Sequence, residues 1–168
     1  NPYLEPFRVL KEQQGFRVTM APLSETGNTT TEIREFIADF YAENALEYVL
    51  LIGDVDDAYA LPAFSYGPEN DVSDLPYVLI EGGPDDYFPE AFIGRWPVDT
   101  AQELAKVIAR TITYSQTPDI ESGYLERALV TAGNYADTGT NLTPVWTSLW
   151  LHDELQDFGY SDVDTVFY

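Results

Sequence analysis

The chain is predicted to be an α/β protein, a three-layer sandwich on a mostly parallel sheet. Three observations carry this. Tyr48-Val-Leu-Leu-Ile52 is an unbroken apolar run stopped by Gly53, as in a parallel strand buried on both faces. Two Thr-x-x-Glu boxes, at Thr29 with Glu32 and at Thr100 with Glu103, each open a stretch with apolar residues at helical spacing. Strand patterns and helix patterns then alternate, which argues for right-handed βαβ crossovers.

Taken in order, residues 6–14 place Phe7, Leu10 and Lys11 at helical spacing before Gly15, a C-cap residue. Residues 16–21 alternate and predict a strand. The helix opened at Thr29 puts Ile33, Phe36, Ile37, Phe40 and Tyr41 on one face. Residues 54–90 hold ten acidic residues and no Lys or Arg. They read as a loop-rich insertion with one short strand over residues 76–80. Residues 88–96 predict the next strand. The helix opened at Thr100 runs to about Tyr114, with Leu104, Val107, Ile108 and Ile112 inward. Residues 125–132 predict a strand. Residues 143–158 predict a helix ended by Gly159, with Val145, Trp146, Leu149 and Trp150 inward. Residues 163–168 predict a last strand. Tyr48–Ile52 is expected at the centre of the sheet, with strands 88–94 and 125–132 nearby. No repeat and no linker divides the chain, so residues 1–168 read as one α/β domain. Both ends look cut: a first strand is missing before residue 6, and the chain stops inside a strand pattern.

The charge balance is extreme. Eight Lys and Arg face 29 Asp and Glu, a net charge of −21. Such a surface repels nucleic acid and anionic membranes, so neither is expected as a partner. It fits high solubility, a saline habitat, or divalent cation binding outside the cell. No apolar run approaches bilayer length, so membrane insertion is not expected. No leader pattern opens the chain. The absence of cysteine excludes disulfides and a thiol nucleophile within these residues.

The candidate ligating residues are Asp54, Asp56 and Asp57, directly beyond a predicted strand end, and Asp85 and Asp86 in the turn Gly82-Gly-Pro-Asp-Asp-Tyr87. Carboxylates at alternate loop positions, with carbonyls freed by proline and glycine, suit a hard cation such as Ca²⁺. The spacing is not that of an EF-hand. The same residues also serve as solvated turn and cap positions. A receiver-domain reading of the acidic loop needs a lysine at a strand end, and Lys11 and Lys106 both fall on predicted helices. Arg95, the one basic residue between Arg34 and Lys106, serves either as a substrate contact or as an ion-pair partner of a nearby aspartate. His152, beside Asp153, reads as a helix histidine.

Gly15-Phe-Arg-Val, Thr30-Thr-Glu-Ile-Arg-Glu-Phe-Ile37, Tyr48-Val-Leu-Leu-Ile-Gly-Asp54, Leu61-Pro, Ser73-Asp-Leu-Pro-Tyr77, Phe92-Ile-Gly-Arg95 and Thr111-Ile-Thr-Tyr114 occur in an order and spacing that resembles gingipain-type cysteine peptidases. The similarity is clear to about Thr117 and weaker beyond. It implies a caspase-like fold of two side-by-side α/β subdomains, with the chain covering the first. In that family the catalytic histidine follows a strand in a Gly-His-Gly motif and the cysteine follows a later strand, both in the second subdomain. This chain has neither motif. The resemblance therefore implies the N-terminal part of a cysteine endopeptidase that hydrolyses peptide bonds and is inactive alone. The alternative is a non-catalytic, extracellular, calcium-stabilised interaction or scaffold module.

Some members orient the histidine with a carboxylate after the strand that corresponds to residues 125–132. Asn134 stands there, and its side-chain oxygen suits the same task. The resemblance further implies structural Ca²⁺, a secreted bacterial protein located outside the cell or at its surface, and two partners: the remainder of the catalytic domain and a protein or peptide substrate. No specificity aspartate can be placed, so a cleavage preference is not carried over.

Overall fold

The computed structural model describes residues 2–66, 70–83, 86–117, 120–133 and 143–167. Five α-helices and six strands are described: α1 Glu5–Gln13, α2 Leu23–Thr26, α3 Thr30–Glu43, β1 Tyr48–Ile52, β2 Phe64–Tyr66, β3 Asp71–Ser73, β4 Phe92–Trp96, α4 Ala101–Gln116, β5 Arg127–Ala132, α5 Pro144–Phe158 and β6 Asp162–Phe167. They fall into two compact units, Asn1–Ser115 and Gln116–Tyr168.

Helix boundaries follow the chemistry read from the chain. Thr29 caps α3 with a complete capping box: its side chain accepts from the Glu32 N–H, and Glu32 reaches back to the Thr29 N–H. Thr100 and Glu103 do the same for α4, and the Thr143 hydroxyl accepts from the Trp146 N–H at the start of α5. After α1, Gly15 adopts φ 96°. Its N–H returns to Glu12 O and that of Phe16 to Lys11 O, a Schellman closure.

In the first unit β1 and β4 pair in parallel, Tyr48 opposite Phe92 and Ile52 opposite Trp96. Alternation sorts their side chains to two faces. Leu51, with Val49 and Ile93, packs against Ile33 and Ile37 of α3 and against Leu61 and Tyr77. Ile52 and Trp96 pack against Leu104 and Ile108 of α4, Val98 and Phe7 of α1. The Phe7 and Trp96 rings lie 4.8 Å apart. Helices thus cover both faces, and this unit has three layers.

Three expectations are corrected here. Tyr48–Ile52 is hydrogen-bonded along one edge only among the described residues, through β4. Residues 16–21 run without ladder bonds. Phe16 still meets Tyr48 ring to ring at 5.5 Å, an edge-to-face contact made without sheet pairing. Residues 76–80 are not a strand: Leu75–Val78 is a 3₁₀ turn with Tyr77 and Val78 fully buried. Pro76 explains this, since it removes a ladder donor and suits the first turn of a helix. The strands of the insertion are β2 and β3, an antiparallel pair.

In the second unit β5 and β6 pair in parallel, Arg127 opposite Asp162 and Ala132 opposite Phe167. Helix α5 is the crossover between them. Val130, Ala132 and Val163 are buried. The inward side of α5 agrees with the expected one only at Val145. Val145, Ser148, His152 and Leu155 are its shielded residues, while Trp146 is 65% and Trp150 60% exposed. No helix is long and apolar enough to cross a membrane among the described residues.

Candidate functional site

Open α/β sheets assemble their sites beyond the carboxyl ends of parallel strands. In the first unit these ends coincide, and the Gly53 N–H donates to Trp96 O at 3.0 Å, one residue past β1. The chain then folds back sharply. Gly53 has φ 140°, and a Cβ there would lie 2.2 Å from Tyr59 O, so only glycine fits. The Leu61 N–H closes the loop onto Asp54 O at 2.7 Å. Asp57 takes a left-handed φ of 63°, which aspartate tolerates better than most residues. The Asp54 carboxylate accepts from the Val55 N–H at 2.7 Å.

Arg95, on β4, is the cation of this loop. Its Nε and Nη2 donate to the two Asp74 oxygens at 2.8 and 2.7 Å. Its Nη1 donates to Gly53 O and Leu61 O, both at 2.8 Å, and Nη2 also reaches Pro62 O at 3.3 Å. The side chains of Arg95 and Asp74 are 11% and 22% exposed. The hydrogen bond to Asp74 raises the Arg95 pKa above the usual guanidinium value, against the opposing effect of burial. Of the two readings of Arg95, the structure gives the ion pair.

A second arginine acts likewise on the 3₁₀ turn. Arg34 of α3 donates to Pro76 O and Leu79 O. The Tyr77 hydroxyl donates to Pro62 O, and burial pushes its pKa up to about 12. Glu90 accepts from the Ile80 N–H at 2.6 Å, and its own N–H donates to Val78 O at 3.0 Å. Arg34, Asp74 and Glu90 were not singled out by sequence reasoning. Their contacts span 10 to 45 positions and leave no local spacing signal.

Beyond β4, Asp99 stands next to the capping box of α4. Its Oδ1 is buried without a hydrogen-bond partner among the described residues. Desolvation, then the charges of Asp54, Asp57, Glu103 and Asp56, raise its pKa. Glu103 is lowered, chiefly by the Asp99 N–H it accepts. The carboxyl end of the β1–β4 pair is therefore a concentrated negative field.

Asp54, Asp56 and Asp57 share this loop. Asp86 lies in a separate turn, where its Oδ1 accepts from the Phe88 N–H at 2.9 Å. A Cβ on Gly82 would meet Asp86 Oδ2 at 2.2 Å. Asp85 and Asn134 lie outside the described residues. Among the described residues no three or more His, Asp or Glu side chains converge closely enough to hold a metal ion. His152 Nδ1 lies 2.9 Å from Asp153 on its own helix.

A sequence model of peptidase family C25 matches residues 1–166. The chain belongs to peptidase family C25. Lys-gingipain of Porphyromonas gingivalis is 30% identical over 172 aligned positions, 95% of this chain and 9% of that protein. Gingipain R2 of the same organism is 32% identical over 146, 81% of this chain and 19% of its own length. The crystal structure of the Arg-specific cysteine proteinase gingipain R superimposes with a TM-score of 0.78 at 25% identity, over 98% of this chain and 38% of that one. A complex of Porphyromonas gingivalis gingipain pro- and mature domains gives 0.75 at 26% identity, over 98% and 39%. These likenesses bear out the gingipain-type resemblance and the caspase-like α/β fold. The chain spans well under half the length of the relatives it matches.

Proposed function

We propose that this chain is the N-terminal subdomain of a C25 cysteine endopeptidase, one α/β subdomain that contributes scaffold and crevice but not the nucleophile. The observation that carries the reading is the family match over residues 1–166 joined to the absence of any cysteine in the sequence. Cysteine peptidase chemistry needs a thiolate, activated by a neighbouring base. Neither thiolate attack on a scissile carbonyl nor a thioester acyl-enzyme can start from these residues. The remainder of the catalytic domain is the partner that would bring cysteine and histidine to the crevice, and a protein or peptide is the substrate. Asn134 would orient that histidine. The relatives' nature supports a location outside the cell or at its surface.

Structural Ca²⁺ belongs to the same reading. Asp54, Asp56 and Asp57, with Asp85 and Asp86, supply the hard oxygen donors such an ion takes. Desolvation and the nearby carboxylates of Asp54, Asp57, Glu103 and Asp56 raise the Asp99 pKa, which supports a need for positive charge nearby. The second reading is a non-catalytic, calcium-stabilised extracellular scaffold or interaction module, favoured by the missing thiol alone.

The experiment is to read and express the parent gene through the next two hundred or so residues. A strand followed by Gly-His-Gly, then a cysteine after a further apolar strand, with peptidase activity lost on alkylation, supports the peptidase. An unrelated continuation with no activity supports the module.

A further inference from the structure

The acidic insertion looks like a segment that only a metal could organise, yet its described core already contains a cation. Five oxygens surround the Arg95 guanidinium: both Asp74 carboxylate oxygens and the carbonyls of Gly53, Leu61 and Pro62. Three carbonyls and a bidentate carboxylate are donors of the kind a hard metal ion takes. Here the planar fork of arginine takes them, with the geometry that suits it and not an ammonium. The cage closes on one side by the Tyr77 hydroxyl at Pro62 O and on the other by the Leu61 N–H at Asp54 O.

We propose that the oxygens of Gly53, Leu61, Pro62 and Asp74 form a guanidinium-selective cage, and that Arg95 is the resident cation that positions loop 53–62 without metal. The loop carries Asp54, Asp56 and Asp57, so Arg95 determines where those carboxylates stand. A calcium ion bound by them would sit on a loop already formed. This does not depend on the peptidase reading, since the cage lies within the first unit and needs no nucleophile.

The test is native-state hydrogen exchange of the Leu61 amide in the 168-residue chain. Arg95→Ala should speed it by at least about tenfold, because hydrogen bonds to a charged group are lost. Arg95→Lys should fail to restore it. Millimolar guanidinium ion should slow exchange in Arg95→Ala, while methylammonium at equal concentration should not, a difference that lost packing alone would not produce. EGTA should leave the native loop unchanged. Should Arg95→Ala not fold, Asp74→Asn takes its place and should loosen Leu61 in the same direction. Native-like exchange in Arg95→Lys or Asp74→Asn, rescue by methylammonium as good as by guanidinium, or a speeding of Leu61 in EGTA beyond that of the β1 and β4 amides would each overturn the proposal.

Discussion

Asp74 and Arg95 meet through two parallel hydrogen bonds, 2.8 and 2.7 Å, across 21 positions of sequence. The pair ties the 3₁₀ turn of the insertion to β4, at the end of the sheet where loops build sites. Removing its anion leaves a mostly buried guanidinium with carbonyl partners only. Asp74→Asn is expected to cost about 2 kcal/mol, between the values for exposed and for buried pairs. The urea midpoint should fall with the m-value unchanged.

Val130 on β5 and Trp146 on α5 make opposite predictions. Val130, which is buried, should cost about 2 kcal/mol on truncation to alanine. Trp146→Ala should cost less than about 0.5 kcal/mol in the same chain, because the ring is already in water. Thermal unfolding of both variants measures this. A larger loss for Trp146→Ala would place the tryptophan inward, as its periodicity suggested.

The pH dependence has two signs. Asp99 has a raised folded pKa, so its ionised form costs stability, and that cost appears as pH rises through the folded value. Asp99→Asn should therefore raise the melting temperature at pH 7, and the gain should vanish at acidic pH where the native carboxyl is protonated in both states. Glu32 and Glu103 are lowered, chiefly by the Thr29 hydroxyl and by the Asp99 N–H respectively. They contribute stability above their unfolded pKa, which is lost as pH falls through the folded values. Alanine at either position should flatten the acid limb of the stability curve.

Much of this architecture was legible because it is local. The two capping boxes, the glycine at the end of α1 and the apolar run of β1 are short-range signals, and each element lies within a few residues of its expected place. What was not legible depends on distance. Residues 16–21 alternate like a strand, but Phe16 is held by the Tyr48 ring and not by a ladder. The 3₁₀ turn at Tyr77 is shaped by Arg34, Arg95 and Pro62, which are far from it in sequence. On α5 Val145 was legible, but the apolar pattern also favoured Trp146, Leu149 and Trp150, while packing chose Ser148, His152 and Leu155. At the candidate site, the position of Asp54, Asp56 and Asp57 beyond β1 was legible from Gly53. The role of Asp99 was not, because it arises from two strands ending side by side.

Calcium binding predicts linkage. Millimolar CaCl₂ should raise the melting temperature beyond NaCl matched for ionic strength, by a gain equivalent to about 2.7 kcal/mol at a hundred times the dissociation constant. A gain no larger than that of matched salt would mark the acidic loop as a solvated surface, and a large gain from NaCl alone would point to salt adaptation.

The most direct measurement is peptide-bond hydrolysis by the purified 168-residue chain over a panel of peptide amides, with purity established by mass spectrometry and with a thiol-alkylated control. The account predicts no turnover above the uncatalysed rate in either sample, because the chain belongs to peptidase family C25 but has no cysteine to supply a thiolate. Turnover that co-purifies with the chain and survives alkylation would contradict it, since these residues would then hold a nucleophile of their own.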